Sequence, residues 1–197
     1  MEFYLFGGFL GSGKTTLMTS LAKNLVEAEN KKVMLIVNDV GDVGIDAKLM
    51  EKLHTDVHEL FGGCVCGQIG NLANILKGLG SKYVVDVVLM EASGIAQPHR
   101  FIDTIHNLLP ESSRVKVITL ADAIRWFDLM DVLEPLISSQ IKAADYILIN
   151  KSDSVNTYVI NDITADIKKL KADVDILPIS ANKQGDIIKV AEVIKKC

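Results

Sequence analysis

A glycine-rich stretch near the start of the chain, GGFLGSGKTT, ends in a lysine and two threonines. From Gly8 to Thr15 it matches the pattern G-x-x-x-x-G-K-[ST], which binds phosphate groups where a strand leads into a helix. The glycines let the backbone curl so that its N–H groups face a phosphate, and the start of the helix adds its dipole. The pattern predicts a phosphate-binding loop, and the alternative is a glycine-rich turn without a ligand.

Separate chemical roles are expected within this loop. Lys14 should reach the β and γ phosphates, and the Thr15 hydroxyl should bind Mg²⁺. The other loop residues expected to contact the nucleotide are Gly8, Gly11, Ser12, Gly13 and Thr16. The spacer positions carry no second lysine, which distinguishes this loop from the variant of partitioning-type ATPases.

The tetrapeptide Asn150-Lys151-Ser152-Asp153, at the end of an apolar run, has the form N-K-x-D. Asp153 can accept from the two N–H groups on the Watson–Crick edge of guanine, a pair that adenine lacks. Asn150 can bond guanine on its other edge or brace the loop, and the Lys151 stem can lie along the base. The alternative is a helix cap formed by Ser152 or Asp153.

A second base contact is expected from Ser180 and Ala181, which follow the last predicted strand. Their backbone would donate to the guanine O6. Ligands bind at the carboxyl ends of the strands in such sheets, where both segments fall. Together with the phosphate loop, they predict that the bound nucleotide is GTP or GDP.

Two further segments carry residues suited to the γ-phosphate side of such a site. Glu91 ends an apolar strand and can hold the Mg²⁺ shell through a water, while the Gly94 N–H can touch the γ-phosphate. Asp39 and Asp42 lie in a glycine-containing loop after the second strand. Lys14, Glu91 and these two aspartates are the expected catalytic residues.

Cys64 and Cys66 stand two residues apart, so in an extended segment both thiolates face the same way. Soft thiolates with a carboxylate nearby favour Zn²⁺, Co²⁺ or Ni²⁺, and Asp39 or Asp42 would be the further ligands. The alternative is a pair of small, half-buried side chains, because C-x-C supplies only two of the four ligands of a structural zinc site.

The elements that must position these residues alternate between apolar strands and helices. The runs are continuously apolar, as expected for strands buried on both faces, and they predict an α/β fold with a doubly wound, mostly parallel sheet. The predicted strands cover residues 2–9, 32–39, 85–92, 115–122, 145–151 and 175–180, with a shorter one at 56–60. The predicted helices lie near 14–29, 70–79, 98–109, 135–143, 156–172 and 186–196, two of them starting at Pro98 and Pro135.

Length and charge set the remaining expectations. The 197 residues suit a single P-loop domain over positions 1–197, and the net charge of −4 offers no basic surface for nucleic acid. No apolar run reaches the roughly 18 residues that span a membrane, and no cationic signal-peptide region precedes the first strand. Three cysteines make no disulfide framework, so we expect a cytoplasmic protein.

Five motifs occur in order, GGFLGSGKTTL, VNDVGDVGID, GGCVCG, MEASGIAQP and SSQIKAADYILINKSD, and together they resemble the CobW-type GTPases of the CobW/HypB/UreG group. The resemblance covers almost the whole chain. It implies a SIMIBI-class P-loop fold and slow GTP hydrolysis coupled to delivery of a metal or metal cofactor to a client protein. It also implies a GTP-dependent homodimer.

The sequence departs from that family in three places. The third cysteine of the family's C-x-C-C motif is Gly67 here, the family's Asn-Glu-Phe-Gly-Glu loop has Asp39 and Asp42 for its two glutamates, and we expect a short form without the C-terminal domain of longer members. A regulatory GTPase without metal handling and a small-molecule kinase therefore remain alternatives. Arg100, Arg114 and Arg125 are internal arginine candidates for activating hydrolysis, and the sequence does not rank them.

Overall fold

The computed structural model describes residues 1–37, 56–59, 69–79, 83–96 and 102–195. Its strands are β1 (Glu2–Gly7), β2 (Val33–Val37), β3 (Asp56–Glu59), β4 (Val87–Glu91), β5 (Arg114–Asp122), β6 (Tyr146–Asn150) and β7 (Asp175–Pro178). Its helices are α1 (Lys14–Glu29), α2 (Ile69–Gly78), α3 (Ile102–Leu108), α4 (Trp126–Ala143), α5 (Thr157–Leu170) and α6 (Gln184–Lys195).

The seven described strands form one parallel sheet in the order β3-β2-β4-β1-β5-β6-β7. β1 lies in the middle, between β4 and β5, and the chain winds outward from it in both directions. This order confirms the predicted doubly wound sheet, and β3 confirms the short additional strand. The crevice for a ligand in such a sheet lies beyond the carboxyl ends of the central strands.

The core lies on both faces of the sheet, as the continuous apolar runs predict. Along β1, Tyr4 and Phe6 pack into a cluster with α1 and α6, while Phe3 and Leu5 pack on the other face with α2 and α3. A third cluster joins α4 and α5 to β5 and β6. With both faces buried, the strands are rigid enough to fix the loops at their carboxyl ends.

Among the helices whose predicted starts lie in the described ranges, α4 is the one whose start was wrongly predicted. It begins at Trp126 rather than Pro135, and Leu133 interrupts it with φ −128° and ψ 25°. Pro135 lies two residues after this kink. A proline has no N–H to bond the preceding turn, and its ring crowds the carbonyl four residues earlier, so the helix is interrupted just before it. The expected first-turn proline thus opens only the second half of a longer helix. Among the described helices, none is both long and apolar enough to cross a bilayer.

One buried carboxylate ties together the loops that leave three central strands. Asp122, the last residue of β5, accepts hydrogen bonds of 2.8 Å from Arg125 Nε and 2.8 Å from Lys151 Nζ, and its side chain is 0% exposed. Arg125 Nη2 also donates to the Leu10 carbonyl at 2.5 Å. The loops after β1, β5 and β6 are therefore joined through a single charge.

These two cations change the acidity of Asp122. Burial by itself would raise the pKa of the carboxyl, but the hydrogen bonds from Lys151 and Arg125 more than offset it and hold the pKa below its usual value. A carboxyl whose pKa is lower in the folded chain than in the unfolded chain stabilises the fold above the unfolded value of about 3.9. That contribution is lost as the pH falls through the folded pKa.

We expect Asp122→Asn to lower the free energy of unfolding at neutral pH by about 1–3 kcal/mol, because two charge-assisted hydrogen bonds lose their anionic acceptor. The gap between wild type and variant should narrow at an acidic pH below the folded-state pKa of Asp122, where the wild type has lost the same charge. Denaturant unfolding at both pH values measures this, with the exposed Asp173→Asn as the control. A gap of equal size at both pH values would contradict the prediction.

Candidate nucleotide site

The loop between β1 and α1 has the backbone of a phosphate-binding loop. Gly8, Gly11 and Gly13 all have positive φ, and Gly13, with φ 93°, directly precedes α1. A Cβ on Gly13 would lie 2.3 Å from Asn150 Nδ2, so no other residue fits there. The hydroxyl of the buried Ser12 has no hydrogen-bond partner in the described part of the chain, a cost that a polar ligand would remove.

Lys14, at the start of α1, is buried and points back into the loop. Its Nζ donates to the carbonyls of Gly8 at 3.1 Å and Phe9 at 3.3 Å and lies 3.7 Å from Glu91 Oε1. Burial lowers the pKa of Lys14; the Glu91 carboxylate opposes this, and the Arg125 charge adds to it. An ammonium group so poorly hydrated gains strongly from an additional anion.

Thr15 and Glu91, the two residues expected around Mg²⁺, lie side by side. The Thr15 hydroxyl donates its proton to Glu91 Oε2 at 2.7 Å, although the two residues are 76 positions apart. That bond leaves the lone pairs of the Thr15 oxygen free for a cation. A hydroxyl and a carboxylate beside a phosphate loop are hard oxygen donors, and they fit Mg²⁺.

The buried Asn150 side chain lines the cleft and braces the loops beside it. Its Nδ2 donates to the Ser12 carbonyl at 2.7 Å, and its Oδ1 accepts from the Ala181 N–H at 2.9 Å. The Ser180 N–H is bonded to Asp186 Oδ2 at 3.0 Å. The backbone donors expected for the guanine O6 thus already have protein partners, and the Ser180–Ala181 turn is held in place by Asn150 and Asp186.

Asp153 is exposed at the cleft and is not a helix cap. It lies in the single 3-10 turn Ser152–Ser154, which Lys151 opens with φ 63°. The cap of α5 is Asn156, whose Oδ1 accepts from the Val159 N–H at 3.0 Å. The capping alternative for Ser152 and Asp153 is therefore excluded, and the Asp153 carboxylate is left accessible to a ligand.

A cleft of about 260 Å³ connects the phosphate loop to the Asp153 turn. Its lining residues are Gly11, Gly13, Thr16, Asn150, Lys151, Asp153, Ser154, Ser180, Ala181 and Asn182. Ser154 and Asn182 were not predicted from the sequence, although both directly follow predicted site residues. Asp122 was not predicted either, and the signal for it was an aspartate at the carboxyl end of a buried strand.

Several predicted site residues lie outside the described residues: Asp39, Asp42, Cys64 and Cys66, together with Pro98 and Arg100. Their roles stay predictions. Gly94 is described; it is buried and packs against Leu10 of the phosphate loop. The described ranges contain no group of three or more His, Cys, Asp or Glu side chains that could hold a metal ion.

Curated relatives of this chain include metal chaperones. The zinc chaperone CobW of a Sinorhizobium species is 28% identical over 180 residues, covering 76% of this chain and 50% of the relative. The zinc chaperone YjiA of Escherichia coli (strain K12) is 32% identical over 158 residues, covering 76% of this chain and 48% of the relative. The chain thus spans about half the length of the curated relatives it matches.

Among solved structures, HypB from Helicobacter pylori in complex with nickel superposes with a TM-score of 0.69 at 20% identity, over 98% of this chain and 85% of HypB. At this identity the likeness supports the fold alone. The sequence itself matches the family described as CobW/HypB/UreG, nucleotide-binding domain, over residues 2–178. The chain belongs to the CobW/HypB/UreG family, and the part of the family that it matches is the nucleotide-binding domain.

Proposed function

We propose that this protein binds GTP with Mg²⁺, hydrolyses it slowly, and couples its nucleotide state to the delivery of a transition metal or metal cofactor to a client protein. The observation that carries the nucleotide part is the cleft of about 260 Å³ that joins the phosphate loop to the Asp153 turn. Phosphate groups would lie at its phosphate-loop end, beside Gly11 and Gly13, and a guanine base would lie at its Asp153 end. Nucleotides that lack the two guanine donors gain nothing from Asp153.

Lys14 would neutralise the β and γ phosphates, for which it would leave the carbonyls of Gly8 and Phe9. Thr15 and Glu91 would hold Mg²⁺, which when bound neutralises charge that develops on the phosphate oxygens. The N–H groups of the loop, oriented by its positive-φ glycines, would cradle the phosphates. Asp39 and Asp42 are the proposed further catalytic residues, and Gly94 would meet the γ-phosphate through its N–H.

Slow hydrolysis follows from how the described arginines are used. Arg114 begins β5 opposite Glu2, at the amino edge of the sheet and away from the cleft. Arg125 is bonded to Asp122 and Leu10. Neither is free to reach a γ-phosphate, so we expect a rate near that of unassisted GTPases, about 10⁻⁴–10⁻² per second.

The metal part of the proposal draws on the relatives. Two are named zinc chaperones, and another, from Schizosaccharomyces pombe, is named a zinc-regulated GTPase metalloprotein activator. In this chain Cys64 and Cys66 would bind the cargo ion, Zn²⁺, Co²⁺ or Ni²⁺, with Asp39 or Asp42 as additional ligands. Two thiolates make an incomplete site, so a second protomer or the client would complete it, which suits an ion that must be released.

Guanine selectivity tests the base end of the cleft. Asp153→Asn loses a charged acceptor that faces two donors, so GTP affinity should fall about 30- to 150-fold, equivalent to about 2–3 kcal/mol. Xanthosine triphosphate should bind the variant better than the wild type, because xanthine has a carbonyl in place of the amino group. Competition titrations measure both, with the exposed Asp162→Asn on α5 as the control. Equal wild-type affinity for ATP and GTP would contradict guanine recognition.

A substitution that removes the Lys14 ammonium group tests the proposed phosphate binding. In Lys14→Ala we expect GTP turnover and GTP-dependent dimerisation to disappear together, because both depend on the bound γ-phosphate. Phosphate release and light scattering with a non-hydrolysable GTP analogue are the measurements. Lys23→Ala, at an exposed position on the same helix, is the matched control. A wild-type mass that stays monomeric at high protein concentration would refute the proposed dimer.

The metal site is tested by titrating Co²⁺ in the presence of GTP and of GDP. The thiolate-to-metal absorption band should disappear in Cys64→Ser/Cys66→Ser and remain in the Cys197→Ser control. Affinity should rise with pH because the thiols must lose protons to bind. If GTP changes metal affinity, the metal must change GTP affinity by the same factor. Equal Co²⁺ binding by wild type and double variant would favour a regulatory GTPase without metal handling.

A further inference from the structure

A buried glutamine holds the turn that follows Glu91. Gln140 lies in the second half of α4 and is 1% exposed. Its Nε2 donates to two carbonyls of that turn, Gly94 O at 3.1 Å and Ala96 O at 3.0 Å. The backbone carbonyl of Gln140 accepts from Thr119 Oγ1 at 3.2 Å, which fixes this part of the helix to β5.

The turn held in this way lies directly against the phosphate loop. A hydrogen bond of 2.8 Å from the Ala96 N–H to the Ser93 carbonyl closes it. A Cβ on Gly94 would lie 2.6 Å from the Leu10 backbone nitrogen, so the two backbones are in contact with no room for a side chain. Ile95, at the outer side of the turn, is 59% exposed. Gln140 thus holds the two carbonyls of the turn that face α4.

We propose that Gln140 is a positioning residue for the γ-phosphate. By holding the Ser93–Ala96 turn against the phosphate loop, it sets where the Gly94 N–H lies and thereby favours GTP over GDP. The inference rests on the proposed function, which assigns that N–H to the γ-phosphate. GDP lacks the γ-phosphate and does not use the turn, so Gln140 contributes to the binding of one nucleotide and not the other.

Removing the amide donors of Gln140 distinguishes a role in positioning the turn from a contribution to the overall stability of the fold. Gln140→Met keeps the length and volume of the side chain but leaves the carbonyls of Gly94 and Ala96 without their donor, so the turn should move toward water. We expect affinity for a non-hydrolysable GTP analogue to fall about 10-fold or more, affinity for GDP to change less than about 2-fold, and kcat to fall. In Gln140→Glu, a protonated carboxyl can donate to one carbonyl, so the loss should be intermediate.

The matched control is Ser138→Ala, because Ser138 is buried on the same helix and bonds Glu134 rather than the turn. It should leave the ratio of GTP-analogue to GDP affinity unchanged even if it lowers stability. In the wild type, the Gln140 side-chain amide resonance, assigned with the Glu variant, should shift between the GDP and GTP-analogue states. This measurement applies even if Gln140→Met fails to fold.

The outcomes distinguish the two proposals. A wild type that binds neither guanine nucleotide overturns the proposed function and the role of Gln140 with it. A wild type that binds both, with a Met variant that loses equal affinity for both or for neither, overturns the role of Gln140 alone. An amide resonance that is identical in the two nucleotide states has the same consequence.

Discussion

The geometry of the cleft depends on one buried side-chain amide. The Asn150 side chain donates to the Ser12 carbonyl and accepts from the Ala181 N–H, so the loops after β1, β6 and β7 meet at a single side chain. The same contact explains the glycine at position 13, because Asn150 Nδ2 occupies the space that a Cβ would need. The asparagine of the base motif and the last glycine of the phosphate loop thus depend on each other, although they are 137 positions apart in the sequence.

The arrangement of charges around this contact explains how a protein with a net negative charge can suit an anionic ligand. The net charge of the chain is −4, yet the loops that border the cleft, and their neighbours, carry the cations Lys14, Arg125 and Lys151. Each lies beside a carboxylate, either Glu91 or the buried Asp122, and this opposite charge offsets part of the free-energy cost of removing the cation from water. Arg125 and Lys151 share Asp122, so they have structural roles. Lys14 has the weakest pairing, at 3.7 Å, and is therefore the cation best able to turn toward a phosphate.

Local patterns were sufficient to predict much of this architecture. Strand runs such as residues 2–9 and the G-x-x-x-x-G-K-T spacing depend on neighbouring residues, so the sheet and phosphate loop could be predicted from the sequence. The start of α4 could not, because its first turns pack through Trp126 against α5, where Trp126 Nε1 donates to Asp166 Oδ2 at 3.4 Å. Asp122 was missed for a related reason: its partner Lys151 is 29 positions away, and only the β5–β6 pairing brings the two together.

The kinked helix α4 and its boundary residue contact both the phosphate loop and the turn that contains Gly94. Arg125, at its N-terminal boundary, holds the Leu10 carbonyl, and Gln140, beyond the kink at Leu133, holds the turn that contains Gly94. Leu10 and Gly94 are in backbone contact, so displacement of the turn must break the Gln140 bonds or move the phosphate loop. Closely packed groups of this kind shift between discrete arrangements and do not deform gradually. A γ-phosphate bound between loop and turn would therefore meet two groups that α4 holds in place, one through Arg125 and the other through Gln140.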